Sequence, residues 1–122
     1  TIWAFVNKEV KAGKKVYIYG ASTRGNSLLQ ICGLDHKLIT AAAERNPDKW
    51  GRKTAGTLIP IISEEEARKA KPEYFLVLPW FFATEFKDRE QEYLNNGGAL
   101  IFPLPTPTLV TKDGEYPIDS LI

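Results

Sequence analysis

The sequence predicts an α/β fold, a Rossmann-like three-layer domain with a mostly parallel sheet of about five strands. Short apolar runs alternate with amphipathic segments along the 122 residues, and this alternation is typical of right-handed βαβ units. The first run, residues 14–19, ends in a glycine-containing turn that leads into the start of a helix. That order of strand, tight turn and helix is typical of parallel sheets.

In the first half of the chain, glycines separate the elements. The sequence predicts a helix over 1–12, a strand over 14–19, a helix over 23–32 and a strand over 37–43. Gly13 breaks the first helical pattern and Gly33 stands where a helix C-terminus favours glycine. The polar stretch 44–56 is predicted to be a loop on the carboxyl side of the second strand.

The second half continues the alternation. It is predicted to contain a strand over 57–62, a helix opening at Ser63 and closing before Pro72, a strand over 74–78, a helix over 82–96 and a strand over 99–102. Pro60 predicts an edge position for the third strand, and Ser63 with Glu66 forms a capping box. The unbroken apolar run 74–78 predicts a central strand. The proline-rich stretch and tail, 103–122, are predicted to be irregular.

Composition limits the class of protein and its partners. The chain has 16 basic and 15 acidic residues, a net charge of +1, so neither a nucleic-acid nor a membrane surface is expected. The single cysteine, Cys32, predicts a reducing, cytoplasmic location and a small buried apolar side chain. Because the chain begins at Thr1 and has no methionine, we expect a fragment of a longer protein. Residues 1–12 would then connect to an upstream domain, and 13–122 would form the domain itself.

The turn after the first strand is a candidate phosphate-binding loop, because backbone N–H groups and a helix start meet there. Its residues are Gly20, Ala21, Ser22, Thr23, Arg24, Gly25 and Asn26. Ser22 replaces the middle glycine of a dinucleotide fingerprint, and Asn26 replaces the lysine of a Walker A loop. Tightly held NAD and hydrolysis of ATP or GTP are therefore disfavoured, whereas a nucleotide or sugar phosphate fits. The alternative is that the glycines only permit a sharp strand-to-helix turn.

Two further candidates follow later strands. Glu44 comes at the predicted end of the second strand, where an acidic side chain often accepts hydrogen bonds from ribose hydroxyls; a solvated loop carboxylate is the alternative. Trp80 follows the predicted central strand and could stack on a base or sugar, although a packing role is equally compatible. No catalytic constellation and no cysteine–histidine set with metal spacing is evident in the sequence.

Four blocks of the sequence together resemble a known domain. The blocks are YGASTRGNSLLQ, AAERNPDKWGRKTAGTLIPIISEEEA, PEYFLVLPWFF and GGALIFPLP. Over residues 13–105 the chain resembles the C-terminal domain of bacterial S-adenosylmethionine-dependent sugar C-methyltransferases, which methylate carbons of nucleotide-linked deoxysugars. At Phe81 it departs from the family pattern, which often has histidine there, and this departure implies a lost polar contact or a different substrate.

The resemblance implies a division of labour within a longer chain. S-adenosylmethionine, zinc and the catalytic base would belong to upstream domains, so this piece would hold no cofactor and no catalytic residue. It would help to hold the nucleotide-sugar through the segment Gly20–Asn26 and through Glu44, Arg45 and Asn46. Two other functions remain open: a stand-alone NAD(P)-binding module, and a purely structural domain that packs on a neighbour.

Overall fold

The computed structural model describes residues 2–19, 29–54, 56–78, 87–103 and 106–121. Its strands are β1 (Val16–Tyr19), β2 (Ala41–Glu44), β3 (Ile61–Ser63), β4 (Tyr74–Val77), β5 (Ala99–Phe102), β6 (Thr108–Thr111) and β7 (Gly114–Pro117). Its helices include α1 (Ile2–Lys11), α2 (Glu64–Lys69) and α3 (Gln91–Asn95), with short 3-10 helices at Pro47–Lys49 and Ile118–Leu121. Residues 29–32 and 87–89 are helical as well.

The strands form one sheet in the order β3-β2-β1-β4-β5-β6-β7. The first five strands of this order are parallel to one another. Strand β6 is antiparallel to β5, and β7 is antiparallel to β6. The predicted α/β fold with a mostly parallel sheet is therefore confirmed. The structure also confirms the central position of β4 and the edge position of β3, which the apolar run and Pro60 had predicted.

Alternate residues of the strands enter two separate hydrophobic clusters. Val16 and Ile18 of β1 belong to one cluster and Tyr17 and Tyr19 to the other, as the period of two in a strand requires. The first cluster includes side chains of α1 and of the helical residues 29–32, and the second includes side chains of α2 and α3. Helical segments therefore cover both faces of the sheet, which explains why β1, β4 and β5 are apolar throughout.

The predicted helix ends are largely confirmed. The helix ending at Cys32 is closed by Gly33, which has a φ of +74°. Gly33 N donates to Gln30 O (3.1 Å) and Leu34 N to Leu29 O (2.9 Å), the two hydrogen bonds of a Schellman motif. Cys32 itself is half-buried against the first cluster, and burial raises the pKa of its thiol. This placement agrees with the small apolar role predicted for it.

The prediction that residues 103–122 are irregular is wrong, and the sheet accordingly has more than five strands. In the structure β6 pairs with β5, and β7 pairs with β6. Without β6, β5 would present an unpaired row of backbone groups, and pairing satisfies them. Pro107 precedes β6 and Pro117 ends β7 at the outer edge, positions at which proline interrupts no ladder between two neighbours.

Two predicted strands, those over 37–43 and 57–62, begin four residues later than expected. Residues 36–38 form a turn in which Asp35 accepts hydrogen bonds from Lys37 N and Ile39 N, so β2 starts only at Ala41. Leu58 has a left-handed φ of 55°, which is incompatible with a strand over 57–60. In both places the chain adopts a local turn instead of the strand that the apolar pattern predicts.

The predicted helix 82–96 is interrupted where the structure describes it. Residues 87–89 are helical, Glu90 is in a turn, and α3 begins at Gln91. Glu90 is 3% exposed and takes part in an ionic network. The break is therefore accompanied by a tertiary contact that helical periodicity does not reveal.

Candidate functional site

The carboxyl ends of the first four parallel strands lie side by side. Tyr19, the last residue of β1, pairs in register with Ala43 and Val77, and Glu44 pairs with Ser63. This is the edge at which open α/β sheets bind ligands. The predicted loop Gly20–Asn26 and the predicted aromatic Trp80 lie outside the described residues, so their roles stay predictions.

Glu44 lies at the end of β2, as predicted, and its carboxylate shapes the chain that follows. Its Oε1 accepts hydrogen bonds from Arg45 N (3.0 Å) and Asn46 N (3.2 Å), and Oε2 lies 3.9 Å from Lys49 Nζ. The Asn46 side chain in turn caps the 3-10 helix by accepting from Asp48 N (3.1 Å). Glu44 and Asn46 therefore order the loop, and their contact with a ligand stays a prediction.

Arg45 projects from this loop toward α2. Its Nε lies 3.3 Å from Glu64 Oε2, and 65% of its side chain is exposed. An ion pair with such exposure contributes little to stability, so the guanidinium can exchange its partner for a ligand at small cost. The predicted trio Glu44, Arg45 and Asn46 is thus brought together at the expected edge.

Trp50 is a feature of this edge that sequence reasoning missed. Its indole Nε1 donates to Glu44 O (2.7 Å), and its backbone N donates to Pro47 O (3.2 Å). The ring is nevertheless 43% exposed. A single aromatic residue within the polar stretch 44–56, directly after a strand, was the available signal.

Trp50 borders a groove of about 510 Å³ at the ends of β2 and β3. The lining includes Glu44, Arg45, Ser63, Glu64 and Lys69. Its acidic groups lie beside basic ones, because Arg45 meets Glu64 and Lys69 Nζ lies 3.3 Å from Glu65. This volume falls within the range of small-molecule sites.

A second missed feature is a buried ionic network beneath the same edge. The Glu90 carboxylate accepts a hydrogen bond from the Tyr19 hydroxyl and two from Arg68, from Nη2 at 2.7 Å and from Nε at 3.2 Å. Arg68 Nη2 also donates to the Tyr19 hydroxyl (2.6 Å). These three residues come from β1, α2 and the turn before α3, so no local pattern in the sequence links them.

The network changes the ionisation of its members. Burial, followed by the hydrogen bond to Glu90, raises the pKa of the Tyr19 phenol well above its usual range. The hydrogen bond to Glu90 also raises the pKa of Arg68. Tyr19 therefore stays neutral and Arg68 stays charged near neutral pH. Because neither group changes its protonation state there, the network is suited to fixing the end of β1 rather than to proton transfer.

A larger cavity of about 710 Å³ lies beside α3. One part of its lining is Arg68 and Glu90 of the ionic network. From there it extends to Lys71, Pro72 and Glu73 before β4, and to Gly97 and Gly98 before β5. The residues that precede β4 and β5 belong to the amino edge of the sheet, whereas ligands of open α/β sheets bind at the carboxyl edge. The groove beside Trp50 is lined by residues at the carboxyl ends of β2 and β3, and we therefore favour it as the candidate site.

The described residues show no group of three or more His, Cys, Asp or Glu side chains that could hold a metal ion. His36, the single histidine, lies before β2, and its Nδ1 is 3.3 Å from Thr57 O. Among the helices that the structure describes, none has the length and apolar character needed to cross a membrane.

Comparison with known proteins identifies the protein family to which the chain belongs. Residues 1–105 match the family model described as the C-methyltransferase C-terminal domain. The chain belongs to this family. It is 41% identical over 104 residues to the C-methyltransferase NovU of Streptomyces niveus, an alignment covering 85% of this chain and 25% of that relative. The chain thus spans about a quarter of the length of the curated relative it matches.

Proposed function

We propose that this chain is the substrate-binding domain of a cytoplasmic S-adenosylmethionine-dependent enzyme that C-methylates a nucleotide-linked deoxysugar. The observation that carries the proposal is the match to the C-methyltransferase C-terminal domain over residues 1–105. The ordered turn at Glu44 and the groove at the carboxyl edge supply a site of suitable size and position.

The proposal includes a Rossmann-like, three-layer organisation for residues 13–122. The order β3-β2-β1-β4-β5 is the 3-2-1-4-5 order of a doubly wound sheet. Hydrophobic clusters on both faces of the strands support the presence of two helical layers. In such a fold the topological switch point lies between β1 and β4. The segment Gly20–Asn26 directly follows β1 in the sequence.

Within the complete enzyme, this domain binds and orients the substrate. The segment Gly20–Asn26 would contact the diphosphate, while Glu44, Arg45 and Asn46 would contact the nucleoside side of the substrate. S-adenosylmethionine supplies the methyl group when it is bound by an upstream domain, and zinc would likewise belong upstream. Residues 1–12 would connect to those domains.

The proposal is tested by substitutions in the protein at its full natural length. The double variant Ser22→Ala/Arg24→Ala should raise the KM for the nucleotide-sugar at least about tenfold, since charged hydrogen bonds contribute about 1.5–3 kcal/mol each. A matched control is Lys112→Ala, in the exposed turn between β6 and β7. Equal substrate affinity and turnover in the folded double variant and the control would favour a purely structural domain.

One observation favours that structural alternative for part of the site. Oε1 of Glu44 is engaged by two backbone N–H groups of its own loop. The variant Glu44→Gln keeps an acceptor for these groups but removes the charge. A substrate KM unchanged in Glu44→Gln, with a raised KM in the Ser22/Arg24 variant, would restrict Glu44 to loop ordering.

The methyl donor gives a separate test of the proposed division of labour. Calorimetry should detect S-adenosylmethionine binding to the full-length protein and none to the 122-residue chain. Tight binding of the donor by the 122-residue chain would contradict the proposal. Saturable enhancement of NADH fluorescence would instead support a dinucleotide-binding module.

A further inference from the structure

We propose that Trp50 is the stacking platform for the nucleobase of the substrate, an inference that rests on the function proposed above. Trp50 is 43% exposed and borders the groove at the carboxyl ends of β2 and β3. In doubly wound sheets the nucleoside lies beyond the second strand, where an acidic residue meets the ribose. Trp50 is six residues after Glu44 and is hydrogen-bonded to its backbone.

The indole ring is held in one orientation before any ligand arrives. Its Nε1 donates to Glu44 O at 2.7 Å, so the surface it exposes to the groove is apolar carbon. The flanking backbone is tied to β3, because Gly51 N donates to Ile61 O (3.0 Å) and Ile61 N donates to Arg52 O (2.8 Å). A ring already fixed by its surroundings loses little conformational entropy on binding.

The charges around Trp50 favour a neutral base over a phosphate. The groove is lined by four carboxylates, those of Glu44, Glu64, Glu65 and Glu66. Glu44 and Glu65 each lie within 4 Å of one basic side chain, and Glu64 lies within 4 Å of both Arg45 and Arg68. A diphosphate placed there would bring two further negative charges beside these carboxylates. A base and a ribose add no charge, and the ribose hydroxyls can donate to carboxylates.

The test compares Trp50→Ala and Trp50→Leu with the control Trp3→Ala in the full-length protein. Trp3 is similarly exposed, at 48%, but lies in α1, outside the groove. Calorimetry measures binding of UDP, dTDP, ADP and GDP, and of inorganic pyrophosphate, which has no base. Base–aromatic stacking contributes about 1–3 kcal/mol per base, which corresponds to a loss of about 5- to 140-fold in affinity.

We expect that loss for the preferred nucleoside diphosphate in both Trp50 variants, with pyrophosphate binding unchanged and Trp3→Ala equal to the wild type. Trp50→Leu retains apolar bulk but has no aromatic face, so it distinguishes stacking from simple burial if Trp50→Ala unfolds. Nucleotide affinity within twofold of the control in Trp50→Leu would overturn the stacking role and leave the proposed function intact. Failure of the wild type to bind any of the four nucleotides would overturn both.

Discussion

Replacing Arg68 with alanine should destabilise the protein through the buried carboxylate of Glu90. Glu90 is 3% exposed, and its countercharge is the Arg68 guanidinium at 2.7 Å. In Arg68→Ala the carboxylate keeps the Tyr19 hydroxyl as a donor but loses the ion pair. An uncompensated buried charge is among the costliest defects that a single substitution can create.

The expected magnitude follows from the burial of the two partners. Breaking a fully buried ion pair costs about 3–5 kcal/mol. Because 40% of the Arg68 side chain is exposed, water can enter the vacated space and solvate part of the charge, so we expect about 2–3 kcal/mol. With an m-value near 1.5 kcal/mol/M, the urea midpoint should fall by about 1.3–2 M.

A matched control lies one residue further along α2. Lys69 pairs with Glu65, but the two side chains are 75% and 79% exposed, so Lys69→Ala should cost at most about 0.5 kcal/mol. In a Glu90→Gln background the buried charge is absent, and Arg68→Ala should cost about 1 kcal/mol or less. Independent substitutions are additive to within about 0.5 kcal/mol. If the losses of unfolding free energy in Arg68→Ala and Lys69→Ala differ by less than this, the buried charge of Glu90 does not have the effect described.

Three further predictions concern packing, capping and pH. Gly98→Ala should lower the thermal midpoint by about 4–12 °C, because a Cβ there would collide with the Tyr93 ring. Ser63→Ala should cost about 1 kcal/mol in urea unfolding, because the Ser63 hydroxyl caps α2 by accepting from a backbone N–H. Burial raises the pKa of Tyr19 and Tyr74 above their usual 10.0; above pH 10 the unfolded state therefore loses protons that the native state keeps. Unfolding free energy measured from pH 9 to 11 should then fall above pH 10 by up to about 1.4 kcal/mol per pH unit for each tyrosine.

Each of these predictions has its own check. Ser63→Asp supplies another capping oxygen and should retain most of the stability that Ser63→Ala loses. Tyr19→Phe should make the alkaline decline shallower, whereas Tyr116→Phe, at an exposed ring, should leave it unchanged. A thermal midpoint of Gly98→Ala equal to that of the wild type would mean that Tyr93 can move, despite the hydrogen bond from its hydroxyl to Pro72 O (2.8 Å).

Several parts of the fold could be predicted because their causes are local. The Schellman bonds at Gly33 and the Ser63 cap join residues at most five positions apart, so a short stretch of sequence is enough to predict them. The apolar run of β4 reports burial on both faces. Strands β6 and β7 were missed because β6 forms by pairing with β5 and β7 by pairing with β6, and local propensity is weak where prolines flank a strand.

The same contrast applies to the candidate site. The sequence by itself determined the family, the alternation of strands and helices, and the location of Glu44, Arg45 and Asn46 after a strand, because these depend on residue type and spacing along the chain. Only the tertiary structure decided that Trp50 faces a groove while bonded to β2, and that Tyr19, Arg68 and Glu90 form one network. Those contacts join residues up to 71 positions apart, and such pairings follow from the packing of the sheet and its helices rather than from any local preference.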